Sequence, residues 1–500
     1  MTDPITPTTP TTTNTATTNS GRLRGIQQQG GILFAGIPFA QPPTGPLRLR
    51  PPQPVRPWSG VREADTFPPA PAQGGTALAA GALMDWPNDE DCLYLNLFTP
   101  ALDGARPVIV WIYGGGFEIG TASAPMTDVA ALARATGAVV VAMNYRVGAL
   151  GWLHLADLGG PEWAGSTNLG LQDQIAALHW VRENIAAFGG DPGNITVAGE
   201  SAGAFSIGAL LAAPSAAGTF HRAILSSGGT ERVFSTETAT AIAKDLLTAL
   251  GIATLAELED VPTKRLLEVQ GTVTESDIAR RNLPGGRAWG VALDGTILPT
   301  HPTTAVRNGA AAHLPLLVST NRDEIKAFEQ LPGFAPANED ALLADIRQAG
   351  FDRPAPVLAA YHTRHPNADL TELRSRFLTD AIYAVPADKL AQSQIQAGGK
   401  AYRAVFAADP FGPAAGTPHG MDLAFIFDLL AANNLATPAN QAIRDTLHAS
   451  WRHFTQTGTP GWPPYNTQAP NNTQLLAHPA TTTTQPPPDQ ATTHWQALNP

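Results

Sequence analysis

Ile195-Thr196-Val197-Ala198-Gly199-Glu200-Ser201-Ala202-Gly203-Ala204 is the stretch on which the reading of the fold depends. Its first four residues, three of them β-branched, read as a strand. The alanine-rich segment Ala202 to Ala213 reads as a helix. Between them stands Gly-x-Ser-x-Gly, with the serine at the turn. Strand, sharp turn and helix in that order make a nucleophile elbow, which lifts the serine hydroxyl above the sheet edge. The turn requires small residues on either side, which accounts for Gly199 and Gly203. The helix that starts beside the serine directs its dipole and its free N–H groups at the same point.

Outward from the elbow, strands and helices alternate. Val108 to Ile112 is a short β-branched run that ends in Gly114-Gly115-Gly116, and Ala138 to Ala142 is a second buried-strand run. Leu171, Ile175, Leu178, Val181 and Ile185 recur in steps of three and four, the spacing of a helix with one buried face. Ala223 to Leu225, Leu314 to Val318 and Ala401 to Phe406 are further strands. Thr437 before Pro438 caps a helix that buries Ile443, Leu447 and Phe454. The stretch Thr236 to Ala279 looks helical and lies between strands, as an insertion above the sheet. Alternation on this scale predicts an α/β fold with a large, mostly parallel central sheet covered by helices.

Composition narrows the classes. The chain has 500 residues, 43% of them hydrophobic and only 15% charged, enough to bury a large core. Its formal charge is −11 and it carries no basic tract, which argues against nucleic acid or an anionic membrane surface as partner. No apolar run reaches the ~18 residues of a membrane span. Met1 to Ser20 contains ten Thr and three Pro and no basic residue, unlike an export signal; it is expected to be a disordered tail. Residues 21–500 are expected to form a single catalytic domain whose C-terminal part, from about Asn466, is polar and loop-rich. There, Leu475, Leu476 and Trp495 are candidates to pin the chain to the body. The single cysteine, Cys92, excludes an intrachain disulfide and a cysteine-based zinc site. A buried free thiol fits a reducing compartment, so a cytoplasmic location is expected.

A serine nucleophile needs a base, an acid that orients the base, and donors for the oxyanion. Seven histidines follow the Leu314 strand, and His419 stands apart from the others: it lies in the Gly/Pro-rich loop after the Ala401 strand, within Thr417-Pro418-His419-Gly420. Loops at the carboxyl ends of sheet strands are where such sites form. The Leu314 strand runs into Asn321-Arg322-Asp323-Glu324, and spacing alone does not choose between the two carboxylates. The glycines in Tyr113-Gly114-Gly115-Gly116-Phe117 leave backbone N–H groups free to converge on an oxyanion. Phe117 and Trp289 are candidate pocket walls. Asp89, Glu90 and Asp91 read as ion-pairing or solvated residues, and no metal or organic cofactor is called for.

Several blocks together resemble the type B carboxylesterase family, which includes cholinesterases and bacterial p-nitrobenzyl-type esterases. The blocks are Gly36-Ile37-Pro38-Phe39-Ala40 with Pro42-Pro43, Glu90-Asp91-Cys92-Leu93-Tyr94-Leu95-Asn96, Asn168 through Ala204, His419-Gly420, and Trp451 with Gly458 and Pro460. The resemblance runs from about Gly21 to Tyr465 and implies an α/β-hydrolase fold with helical insertions over the active site. It implies Ser201 as nucleophile, Glu324 as acid and His419 as base, with oxyanion donors at Gly115, Gly116 and Ala202. It also implies supporting roles for Glu200 and Ser227, and structural ion pairs joining Arg48 to Glu90 and Arg146 to Asp173. The Phe67 to Asn88 loop, carrying Trp86 as a third pocket candidate, resembles the segment over the family's gorge.

The chain departs from many members at Tyr113, where they have His, and at Ile325, where they have Gly; Cys92 lacks the family's cysteine partner. The implied activity is serine carboxylic-ester hydrolysis through an acyl-enzyme, on small to medium uncharged esters, without cofactor. Amide or thioester hydrolysis on the same triad is the rival. A non-catalytic, neuroligin-like binding protein is the other alternative, but such members typically lack the serine.

Overall fold

The computed structural model describes residues 14–76, 86–277, 279–466 and 472–477, with the backbone of 481–483. The centre of the sheet is built from the apolar runs. Arg106–Ile112 and Val139–Met143 pair in parallel, with Val108 opposite Val139. From Val108 onward every residue of the first strand is buried, as is every residue of the second. Helices flank the sheet, so a strand in it can be apolar throughout instead of alternating. Gly190–Glu200 joins on the other side of Arg106–Ile112, with Ile195 opposite Val108. Arg222–Ser226, Leu316–Asn321, Ala401–Phe406 and Thr473–Leu476 follow, each parallel to its neighbour.

Beyond Val139–Met143 the pairing becomes antiparallel, through Tyr94–Thr99, Gly31–Pro38 and Ile26–Gln28, and Thr481–Thr483 closes the opposite edge in the same way. Among the described residues the sheet has 11 strands. Gly36 breaks the register between Phe34 and Ile37. Its φ is +75°, and a Cβ there would lie 2.7 Å from the Thr66 carbonyl oxygen, so only glycine fits this bulge.

The amphipathic helices lie where their spacing requires. Leu169–Asn184 buries Leu171, Ile175, Leu178 and Val181. Pro438–Thr457 buries Ile443, Leu447, Trp451 and Phe454, and the Thr437 hydroxyl caps it by accepting from the Asn440 N–H at 3.2 Å. The insertion after Arg222–Ser226 contains the helices Thr236–Leu250, Leu255–Asp260 and Thr263–Gln270. Among the described residues no helix is long and apolar enough to cross a membrane.

The expectation of a disordered tail over residues 1–20 is corrected at its end; residues 1–13 lie outside the described residues. Thr15–Thr18 forms a strand that pairs with Gly21–Arg24, which in turn pairs with Val61–Glu63. The Thr18 hydroxyl closes the turn by accepting from the Ser20 and Gly21 N–H groups, and the Asn19 N–H donates to Asn184 Oδ1 at 2.8 Å. Threonine is β-branched and pairs well once a partner strand is present, whereas composition averaged over twenty residues does not register four of them. At the other end, Leu476 is buried in the Thr473–Leu476 strand. Trp495 lies outside the described residues.

Candidate active site

The parallel strands deliver their carboxyl ends to one edge of the sheet, and the candidate residues collect there. Ser201 follows Gly190–Glu200 and caps the Ala202–Leu210 helix, with φ +54° and ψ −122°. A non-glycine residue in that region costs about 1–3 kcal/mol and persists only where its surroundings enforce it. Here the Ser201 N–H donates to the Ser226 carbonyl at 3.0 Å, and the Ser201 carbonyl accepts from the Phe205 N–H at 2.9 Å. A Cβ on Gly203 would lie 2.0 Å from the Ile112 carbonyl oxygen, and one on Gly199 would lie 2.8 Å from the same atom. The helix therefore packs on the neighbouring strand at a distance only glycine permits.

His419 Nε2 lies 2.8 Å from Ser201 Oγ, and its Nδ1 lies 2.6 Å from Glu324 Oε2. A carboxylate on Nδ1 requires that nitrogen to carry the proton, which leaves Nε2 as the acceptor facing the serine. The His419 N–H also donates to the Glu324 carbonyl at 3.0 Å. Glu324 is fully buried, and its Oε1 accepts from the Asn321 N–H at 2.7 Å. Asp323 faces the other way: its Oδ2 accepts from Arg322 Nε and from the Thr417 N–H, both at 2.9 Å. Ile325 is buried, and its N–H donates to Thr379 Oγ1 at 3.1 Å, which anchors the acid loop from behind.

Two more carboxylates surround the imidazole. Glu200 Oε1 lies 3.3 Å from His419 Nε2. Asp422 accepts from the Ser226 hydroxyl and from Asn321 Nδ2. Sequence reasoning missed Asp422; the only signal was an acid three residues beyond His419. Burial pushes Glu200 up to about 8, aided by Asp422 and Glu324 and opposed by His419. Burial likewise raises Asp422. Burial alone would pull His419 down, but the carboxylates of Glu200, Glu324 and Asp422 together push it up to about 9. Ser227 is buried with φ +53°, and its N–H donates to the Ser319 carbonyl at 2.8 Å.

The glycine loop lies directly against the serine, since a Cβ on Gly114 would come within 2.9 Å of Ser201 Cβ. Gly115 and Gly116 have φ of +109° and +65°. The Gly115 carbonyl accepts from the Glu118 and Ile119 N–H groups in a tight turn. The N–H groups of Gly115, Gly116 and Ala202 donate to no other described residue. Tyr113, at the departure from the family pattern, stacks on Tyr145 at 4.4 Å; each hydroxyl donates to the other residue's carbonyl. Here the tyrosine ties two strand ends together behind the loop.

The three pocket candidates are not alike. Phe117 and Trp289 are 0% and 1% exposed, so they stiffen the wall from within. Phe117 packs edge-on to Trp152 at 4.6 Å. Trp86 is half-buried, and among the described residues no hydrogen bond or ring contact joins it to the triad. Farther out, Arg146 grips the buried Asp173 through Nε at 2.8 Å and Nη2 at 2.7 Å, and Arg48 Nε lies 2.9 Å from Glu90 Oε2. Cys92 is buried and free. Among the described residues no group of three His, Cys, Asp or Glu is arranged to hold a metal ion.

Sequence reasoning also missed Tyr383, whose ring lies 4.8 Å from that of His419, and the buried charges Arg232, Arg281 and Glu118 beside the glycine loop. Tyr383, Arg232 and Arg281 come from segments remote from any motif, whereas Glu118 directly follows the glycine loop.

The sequence pattern of the carboxylesterase family matches residues 12–495. The chain is 36% identical over 472 residues to the para-nitrobenzyl esterase of Bacillus subtilis (strain 168), covering 90% of this chain and 92% of that one. It is 32% identical to the phenmedipham hydrolase of Pseudarthrobacter oxydans, covering 91% and 93%. A solved carboxylesterase of Geobacillus stearothermophilus superposes with a TM-score of 0.86 at 34% identity, covering 97% of this chain and 99% of that one.

Proposed function

The chain belongs to the carboxylesterase family, has its α/β-hydrolase fold and is a serine ester hydrolase; from that premise we propose how its own residues divide the work. Ser201 attacks the ester carbonyl, and His419 takes the hydroxyl proton on Nε2. Glu324 orients the imidazole and stabilises its protonated form. The oxyanion that forms is held by the N–H groups of Gly115, Gly116 and Ala202, of which one such donor is typically worth about 3–4 kcal/mol. His419 then returns the proton to the departing alcohol. Water, deprotonated by the same nitrogen, releases the acid from Ser201.

The observation that carries this reading is the continuous chain from Ser201 Oγ through both ring nitrogens to Glu324, at 2.8 and 2.6 Å, on a serine held in a strained turn. When ionised, Glu200 and Asp422 favour the protonated imidazole, and Glu200, pushed up to about 8, carries that charge mainly above neutral pH. We also propose that the chain from Thr15 acts as one catalytic unit, and that it works in the cytoplasm, which the unpaired Cys92 supports. The substrates are small to medium carboxylic esters. Turnover of p-nitrophenyl esters of graded acyl length, run beside an anilide and a thioester, tests the bond preference. Ser201→Ala should lose about 10⁶ in turnover, and an organophosphate should label Ser201 covalently. An alanine variant with wild-type activity would refute the assignment.

A further inference from the structure

We propose that the site recognises esters that carry a second, negatively charged group, and that Arg232 is the residue that binds it. This rests on Ser201 being the nucleophile. Arg232 lies beyond the Arg222–Ser226 strand and is only 9% exposed. Its guanidinium carbon sits 4.9 Å from the Phe117 ring and 5.6 Å from the Phe205 ring. Both residues adjoin the site: Phe117 directly follows the glycine loop, and Phe205 stands one helical turn after Ser201, its N–H donating to the Ser201 carbonyl. Phe205 faces Tyr383 at 6.2 Å, and Tyr383 faces His419 at 4.8 Å. Arg232 thus stands in the wall that surrounds the serine and the histidine.

What distinguishes Arg232 is its lack of a partner. Among the described residues six arginines are buried: Arg48, Arg146, Arg232, Arg281, Arg374 and Arg403. Five of them hold a carboxylate at 2.6–2.9 Å. Arg232 holds none among the described residues, and its Nε and Nη2 are buried without a hydrogen-bond acceptor. The adjacent acid, Glu118, lies 2.8 Å from Arg281 Nη1, though neither that nitrogen nor either carboxylate oxygen is in hydrogen-bond geometry, and its charge also acts on Arg232. Within the cluster of Arg232, Arg281 and Glu118 two cations face one anion, while Glu200, Glu324 and Asp422 lie on the histidine side of the wall. Burial draws Arg232 down to about 10, and Arg281 adds to this, so the group still carries its charge at neutral pH.

An arginine serving only the fold would be paired, as the other five are, because a buried unpaired charge costs several kcal/mol. A carboxylate on the substrate would supply the missing partner, with the planar fork suited to both its oxygens. Tyr383, whose ring lies 4.8 Å from that of His419, brings a hydroxyl into the same wall as a second donor. The uncharged ester expected from the sequence takes no account of this cation.

The test compares kcat/KM for the monoethyl esters of succinate, glutarate and adipate with that for ethyl pentanoate, by ethanol release. A second arm places the charge on the alcohol half, comparing O-butanoylglycolate with propyl butanoate. The wild-type protein should prefer at least one anionic ester over its neutral counterpart by about tenfold or more. Arg232→Gln should bring that ratio to one or below, and Arg232→Lys should keep part of it. A wild-type ratio below one for every anionic ester overturns the proposal without any variant having to fold. So does a preference that Arg232→Gln leaves intact. Hydrolysis of neutral esters with no anionic preference removes this proposal alone. Failure to hydrolyse any ester removes the Ser201 reading and this one with it.

Discussion

Glu324 and Asp323 are neighbours in sequence with opposite surroundings. Glu324 points inward to His419, while Asp323 is occupied by Arg322 and the Thr417 N–H. An amide in place of the orienting acid can stabilise the wrong histidine tautomer, which in a related triad cost about 10⁴ in turnover. Glu324→Gln should therefore lose several orders of magnitude while staying folded, and Asp323→Asn should lose far less. Circular dichroism of both variants and turnover on one ester check this, and a dead Asp323→Asn with an active Glu324→Gln would reverse the assignment. Glu200 makes a prediction about pH. Its carboxylate helps to push His419 up to about 9, and the base works only when neutral. Removing that negative charge in Glu200→Gln lowers the histidine pKa, so the acid limb of the kcat/KM profile should move to lower pH. A limb that stays in place would show that Glu200 does not act on the imidazole.

The elbow is an element whose sequence and geometry explain each other. Gly203 lets the Ala202–Leu210 helix approach the Ile112 carbonyl to a distance that excludes a methyl group. Gly203→Ala should therefore force strand and helix apart, costing about 3 kcal/mol or more, with activity lost alongside. Chemical denaturation gives the cost directly; an unchanged midpoint would mean that the contact yields easily. The parallel strands around the elbow were legible because burial on both faces leaves continuous β-branched runs. Gly31–Pro38 and Thr15–Thr18 were not. The first is interrupted by the Gly36 bulge, and the second consists of polar residues whose strand character depends on its partner.

At the scale of the whole molecule, the buried ion pairs join distant segments. Arg146 binds Asp173 and also donates to the Arg50 carbonyl at 2.8 Å, while Arg48 reaches past Glu90 to the carbonyls of Leu258 and Glu259 in the helical insertion. Removing one partner strands a buried charge, so Arg146→Ala should cost about 3–5 kcal/mol. A lowered melting temperature or a lost yield of folded protein is the expected result, and an unchanged melting temperature would count against it. The proposed nucleophile, oxyanion loop and base were legible as candidates because each lies in a short contiguous motif whose chemistry is local. The choice of Glu324 over Asp323 needed the resemblance at the sequence level, and only the packed loop gives it a physical cause: two adjacent side chains face opposite ways, and the fold decides which way is inward. Asp422, Tyr383 and the unpaired Arg232 belong to no motif. Asp422 lies just past His419 in the same loop, while Tyr383 and Arg232 reach the histidine and the glycine loop only because helices and loops far apart in the chain close over one edge of the sheet. Their importance is set by burial and by the absence or presence of a partner, which are properties of the folded chain alone.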